Sequence, residues 1–340
     1  MTIDEATLAA WPDFRSLPDI AAERLGGRVL LANDEFFAPK EALLRPGRGA
    51  WDPEGFTETG KVYDGWETRR RRTPGNDWCI VRLGMPAEIV GIDVDTNHFV
   101  GNFPEACSLD ACRAEGDSVG SELSEASDWV EVLPRSPLRG DRSNLFDIND
   151  GQRWTHVRLN IYPDGGVARL RVHGIARPDW DALGDRTVDV ASVVNGGVVV
   201  ARSDDFFGLP HNMLFPDRPP HMGDGWETRR RRGPGHDWCI VQLGTRADVE
   251  RIIVDTTHFK GNFPESCSIE GADCRAPDET TEWRVALPQT TLTADSERAF
   301  NVELSDRGPF THIRVNIYPD GGLARLRVFG QRAAAGGRPR

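Results

Sequence analysis

The sequence predicts an all-β protein built from two tandem jelly-roll β-sandwich domains. Three observations predict it. The chain contains one unit twice, the dominant hydrophobic period within each copy is two residues, and long helical periodicity is hard to find outside the first 25 residues.

The duplication is read directly. "GWETRRRRTPGNDWCIVRLG" from Gly65 returns as "GWETRRRRGPGHDWCIVQLG" from Gly225, and "DTNHFVGNFPEACS" from Asp95 as "DTTHFKGNFPESCS" from Asp255. "THVRLNIYPDGGVARLRVHG" from Thr155 is answered from Thr311, and "DEFF" from Asp34 by "DDFF" from Asp204. The offset shrinks from 170 to 160 to 156 residues, so the second copy has lost loop length while keeping the order of its blocks. The Gly-, Ser- and Glu-rich segment from Ala114 has no apolar period and reads as one surface excursion that was shortened. Two repeats of about 150 residues make two domains rather than a solenoid, which needs more and shorter units. The expected boundaries are 1–180 for the first repeat with an N-terminal arm, 181–332 for the second, and a flexible tail over 333–340.

Strands are expected in order at "GRVLLA" from Gly27, "DWCIVRL" from Asp77, "EIVGIDVD" from Glu88 and "DWVEVL" from Asp128. In "WTHVRLNIY" from Trp154, Val157, Leu159 and Ile161 alternate with His156, Arg158, Asn160 and Tyr162. "VARLRV" alternates likewise across the turn signal "PDGG", and the two segments read as a hairpin. Many short strands with irregular connections indicate an antiparallel sandwich, of which the jelly roll is the most economical version at this size.

Composition excludes several functions. With 41 basic against 53 acidic side chains the net charge is −12, which repels a phosphate backbone and gives no support to nucleic-acid or anionic-membrane binding. The two runs of four arginines are therefore local devices. The amino terminus carries acidic residues where a signal peptide needs basic ones, and no apolar run reaches the roughly 20 residues of a membrane span. Six cysteines without a Cys-x-x-Cys pair read as neither a disulfide framework nor a structural zinc site; Cys79 and Cys239, inside apolar strand patterns, read as buried reduced thiols, and the protein as cytoplasmic.

Taken together, "GWETRRRR" with "DWCIV", "HFxGNFPE" after Asp-Thr, and "NIYPDGG" with "ARLRV" resemble the allantoicase family over essentially the whole chain. The resemblance implies two jelly rolls of the galactose-binding-like type, a homo-oligomer, and hydrolysis of allantoate to ureidoglycolate and urea. A looser likeness of "DWCIVRLG" and "ARLRVHG" to discoidin-like domains supports a rival reading, a noncatalytic carbohydrate-binding protein. The missing signal peptide and the pairing of His with Glu in both copies count against it.

Allantoate carries one carboxylate and two ureido groups on one carbon, so its enzyme must hold an anion, orient amides and move protons. Arginine suits the carboxylate because its planar fork stays charged and donates two parallel hydrogen bonds. In an extended "TRRRR" only alternate side chains face one way, and the candidates for binding are Arg70 and Arg72, with Arg230 and Arg232. The bland reading of such a run is a solvated face.

His98 and His258 follow the strands ending at Asp95 and Asp255, with Asn102 and Glu105, or Asn262 and Glu265, in the same connection. An imidazole titrating near neutrality beside a carboxylate makes His98, Glu105, His258 and Glu265 the catalytic candidates. Strand capping is the alternative. Asn102 and Asn262 are binding candidates, as are Arg158 and Asn160 and their counterparts Arg314 and Asn316 on a polar strand face. Asp164 and Asp320 are accounted for by local bonding in their turns. No cofactor is expected: His98 or His258 with nearby acids makes a divalent metal conceivable, but the spacing matches no strong ligand signature.

Overall fold

The computed structural model describes residues 13–58, 60–114, 123 and 128–334. Most of the expected excursion after Ala114, most of the N-terminal arm and nearly all of the tail lie outside the described residues. The chain divides into two compact units, Pro18–Ile175 and a second whose body is Ala176–Arg340.

In the first unit the strands are β1 (Arg28–Ala32), β2 (Phe56–Thr57), β3 (Gly60–Lys61), β4 (Trp66–Glu67) and β5 (Asp77–Asp95). They are followed by β6 (Ala106–Cys112), β7 (Val130–Pro137), β8 (Ser143–Asp147), β9 (Trp154–Tyr162), β10 (Gly166–Val167) and β11 (Arg169–Ala176). The second unit has β12 (Val188–Asp189), β13 (Val198–Arg202), β14 (Trp226–Glu227), β15 (Asp237–Asp255) and β16 (Ser266–Ala272). It ends with β17 (Arg284–Thr291), β18 (Glu297–Phe300), β19 (Phe310–Tyr318), β20 (Gly322–Leu323) and β21 (Arg325–Arg332). No described helix is long and apolar enough to cross a membrane.

The first sheet runs β1-β5-β9-β6-β7, with β8 and β11 also pairing β5. The two strands expected at Asp77 and Glu88 are one strand of 19 residues. Its first part, Asp77–Arg82, pairs with β9, and its last part, Gly91–Asp95, pairs with β8. The register with β9 breaks between Arg82 and Ala87. One strand thus serves both layers of a sandwich. β15 repeats this in the second unit, with its register break between Gln242 and Ala247.

The apolar residues expected on one face of β9 are the core. Val157, Leu159 and Ile161 are fully buried with Ile89, Ile92, Val94, Leu109, Leu170 and Val172. Each such side chain contributes roughly 1.5–3 kcal/mol relative to exposure.

The expected hairpin does not form. β9 lies between β5 and β6, while β11 pairs with β5 and β10 with β4. The turn Pro163–Gly166 is pressed against the connection after His98 instead of folding back on β9. A Cβ on Gly165, whose φ is 140°, would lie 2.8 Å from the Asn102 carbonyl, and one on Gly166 would lie 1.9 Å from the Phe99 ring. Gly166 N–H donates to the Asn102 carbonyl at 2.8 Å. Glycine there lets two loops close on each other, and this junction seats the candidate site.

Candidate active site

The arginine run sits where three acids converge. Asp34 accepts from the backbone and the guanidinium of Arg69, at 2.9 and 2.7 Å. Asp164, in the turn, accepts from Arg71 N–H at 2.7 Å, so it ties two distant segments rather than serving its turn alone. Asp77, 2% exposed, accepts from Arg71 Nη1 at 2.7 Å and from Asn33 Nδ2 at 2.9 Å. Arg69 and Arg71 are thereby neutralised. Arg70 and Arg72 are exposed and make no hydrogen bond or ion pair with any described residue. The second unit repeats the pattern, with Asp204 on Arg229, Asp320 on Arg231 N–H and Asp237 on the Arg231 guanidinium. There a groove of about 330 Å³ is lined by Ser203, Asp204, the four arginines 229–232, Gly233 and Asp237.

Directly before the run, the carboxyl of Glu67 is 9% exposed and accepts from Asn102 Nδ2 at 2.6 Å. Burial raises its pKa above the ordinary carboxylate value, against the lowering pull of the Asn102 amide. Glu227 and Asn262 form the same pair at 2.5 Å. His98 is half-buried with φ of 68°, and His258 matches it at 71°. Non-glycine residues seldom adopt this conformation, and here it is held from outside: Asp141 Oδ1 accepts from His98 N–H at 2.9 Å and Asp295 Oδ1 from His258 N–H at 2.8 Å. Glu105 and Glu265 pair by backbone with Tyr162 and Tyr318, but their side chains are exposed and make no bond to a described residue. The carboxyl that meets the Asn102 amide is therefore Glu67, not Glu105.

The polar row of β9 is not a solvent face: His156 and Asn160 are buried and Arg158 is half-buried. His156 is 1% exposed, bonds Thr155 Oγ1 through Nδ1 at 2.9 Å, and has no partner at Nε2. Burial, aided by the Arg82 charge, lowers its pKa and keeps it neutral. Arg158 pairs with Asp110 at 2.7 Å and lies over the Trp129 ring. Asn160 donates to Asp110 and Ser108, at 2.9 and 3.2 Å. In the second unit Arg314 and Asn316 meet Glu270 and Ser268 in the same way. The row thus binds Arg158 and Asn160 into a network with Asp110 and Ser108. It touches the arginine segment through Asn76, whose Nδ2 reaches Asn160 Oδ1 at 3.4 Å; His236 makes the corresponding contact with Asn316 at 3.1 Å. His312 is also buried and neutral, its pKa pushed down to about 4 by loss of hydration.

Known proteins place this geometry. The family model described as the allantoicase repeat matches twice, over residues 18–177 and 188–333. A protein of Photobacterium profundum described as a probable allantoicase is 46% identical over 325 residues, covering 94% of this chain and 97% of that one. The chain belongs to the allantoicase family. A probable allantoicase of Pseudomonas aeruginosa is 48% identical, covering 93% of this chain and 96% of its own. The crystal structure of allantoicase from Saccharomyces cerevisiae superposes with a TM-score of 0.76 at 36% identity, covering 97% and 99% of the two chains. Two tandem jelly-roll sandwiches are thus the allantoicase architecture of this chain.

Within this allantoicase repeat, the Pro163–Gly166 turn joins the arginine run, through Asp164 and the Arg71 N–H, to Asn102, whose carbonyl accepts from Gly166 N–H. The fold leaves Glu105 at the surface and commits Arg158 to Asp110. The residues missed by sequence reasoning are Glu67, Asp34, Asp77 and Asp164 with their counterparts. Their signal was available: Glu67 lies inside the duplicated "GWET", and Asp34 inside the "DEFF" and "DDFF" blocks. Among the described residues no group of three or more His, Cys, Asp or Glu is placed to hold a metal ion.

Proposed function

We propose that this chain hydrolyses allantoate, taking up one water and releasing ureidoglycolate and urea. The observation that carries the reading is a buried Glu67 carboxyl held by Asn102, directly before an arginine run in which Arg70 and Arg72 bond no described residue. Two fixed positive charges suit the substrate carboxylate, each through charge-assisted hydrogen bonds. The raised pKa of Glu67 favours the protonated carboxyl that a departing ureido nitrogen needs as proton donor. Asn102 holds that carboxyl in place and offers its second N–H to a ureido oxygen. His98, whose ring nitrogens bond no described residue, takes the complementary proton, from water or from the ureido group that stays.

The test incubates purified protein with allantoate, allantoin and ureidoglycolate separately and measures urea. Release from allantoate alone is the expected result. No release from allantoate overturns the reading.

A further inference from the structure

The two repeats share a motif but differ around it. The connection from Leu44 to Asp64 is ten residues longer than that from Leu214 to Asp224. The longer connection contains the β2–β3 hairpin and Trp51. Trp51 lays its ring against the His98 imidazole, with centroids 5.6 Å apart and planes 30° from parallel. Tyr63 touches Trp51 at 5.3 Å and stacks on Phe99 at 4.9 Å, and Lys61 Nζ lies 4.3 Å over the indole. The base of the loop is fixed: Arg48 holds both oxygens of Asp95, and Asn97 Nδ2 donates to the Gly49 carbonyl at 2.9 Å.

Among the described residues no ring stacks on His258. Its Nε2–H instead donates to the Pro219 carbonyl at 2.9 Å. Asn262 Nδ2, besides its bond to Glu227, lies 3.3 Å from Met222 Sδ. The chain itself has taken up the polar groups that a ureido acid would need. In the first repeat, among the described residues, Asn102 Nδ2 donates to Glu67 only and neither ring nitrogen of His98 is engaged.

We propose that turnover is confined to the first repeat, with Trp51 a positioning residue that fixes the His98 imidazole, while in the second repeat His258 and Asn262 are engaged by their own chain. This rests on the reading that the protein cleaves allantoate. A histidine ring without a hydrogen bond rotates freely about its side-chain torsions; a stacked indole removes that freedom while leaving both nitrogens available for proton transfer. An imidazole whose Nε2–H is already donated has lost one of its two working positions.

The experiment compares Glu67→Gln with Glu227→Gln, both near-isosteric, in urea release at saturating allantoate. Glu67→Gln is expected to lower kcat by about 100-fold, the lower bound of a general-acid contribution, and at least about tenfold more than Glu227→Gln. Equal losses, or the larger loss from Glu227→Gln, overturn the proposal. Because a buried substitution can unfold the unit, a second arm uses half-exposed Trp51. Trp51→Ala is expected to lower kcat by about tenfold with KM within about twofold, and Trp51→Phe to restore most of it, as removing orientation alone should. The His98 ring-proton NMR resonances lose their ring-current shift in Trp51→Ala and keep most of it in Trp51→Phe. Resonances that move without a change in kcat overturn the positioning role. If wild-type protein releases no urea, the functional reading fails by itself, and the NMR arm still reports whether the stack exists.

Discussion

Replacing the four arginines of residues 69–72 one at a time separates binding from architecture. Arg70 and Arg72 are exposed and make no hydrogen bond or ion pair with a described residue, so their change to alanine leaves stability within about 0.5 kcal/mol. A charge-assisted hydrogen bond to a substrate carboxylate is worth about 1.5–3 kcal/mol. At about 1.36 kcal/mol per decade, kcat/KM falls roughly 10- to 160-fold for either variant. Arg71→Ala acts differently. It strands Asp77, 2% exposed, with only the Asn33 amide, and breaking a buried pair costs about 3–5 kcal/mol. Since the Arg71 side chain is itself 28% exposed, the lower end of about 3 kcal/mol applies. For a unit of about 160 residues this lowers Tm by about 6–12 °C. Arg69, whose side chain is 63% exposed, costs about 1 kcal/mol or less. Calorimetric melting and urea-release kinetics on the four variants read both quantities. The reasoning is refuted if Arg70→Ala and Arg72→Ala both keep kcat/KM within twofold, or if Arg71→Ala loses activity with an unchanged Tm.

Acid should weaken the second unit in a defined window. Burial holds His211 and His312 at about 3 and about 4, so between pH 6.5 and 4 the unfolded chain takes up two protons that the native unit refuses, and stability falls as pH falls. Asp189, pushed up to about 6 by burial, opposes this by binding a proton in the native state below pH 6. The net expectation is a loss of about 1.4 kcal/mol per pH unit between pH 6 and 4 in urea unfolding, and a rise over that window would contradict it. Gly166→Ala drives a Cβ into the Phe99 ring and should lower Tm by several degrees with loss of activity, overpacking costing about 1–3 kcal/mol. Gly101→Ala, with nothing within 4 Å, is the control that should leave Tm unchanged. Five of the six cysteines are buried, and burial pushes Cys107 and Cys267 up to about 12, so native protein should react with Ellman's reagent only at Cys274. Rapid native labelling of a second thiol would show that a core strand opens.

How far the sequence reveals the fold depends on the range of the forces involved. Alternation along Trp154–Tyr162 reports a local period, and the strand formed there with its apolar face in the core. Which strand pairs with which is set by long-range closure. The "PDGG" segment reads as a hairpin turn because its local chemistry suits one, yet its glycines serve a close approach to residues 102–104 that no local window contains. The same limit hid the site. Glu67 carries no local signal of a partner, and only the fold brings Asn102, 35 positions away, to its carboxyl. Asp77 and Asp164 could not be assigned to Arg71 for the same reason, since one partner lies at the start of β5 and the other beyond the end of β9.

Duplication compensates in part, because each repeat serves as a control for the other. The Asp34–Arg69 and Asp204–Arg229 pairs, kept in both copies, answer to the shared architecture, since each ties the arginine run to a distant segment. Groups present in one copy answer to something else. The first repeat alone has the Trp51 loop over its histidine, and the second alone has Pro219 and Met222 engaged with His258 and Asn262. A fold that needs each motif twice constrains the motif, while only a reaction carried out once leaves the surroundings of the second copy free to close.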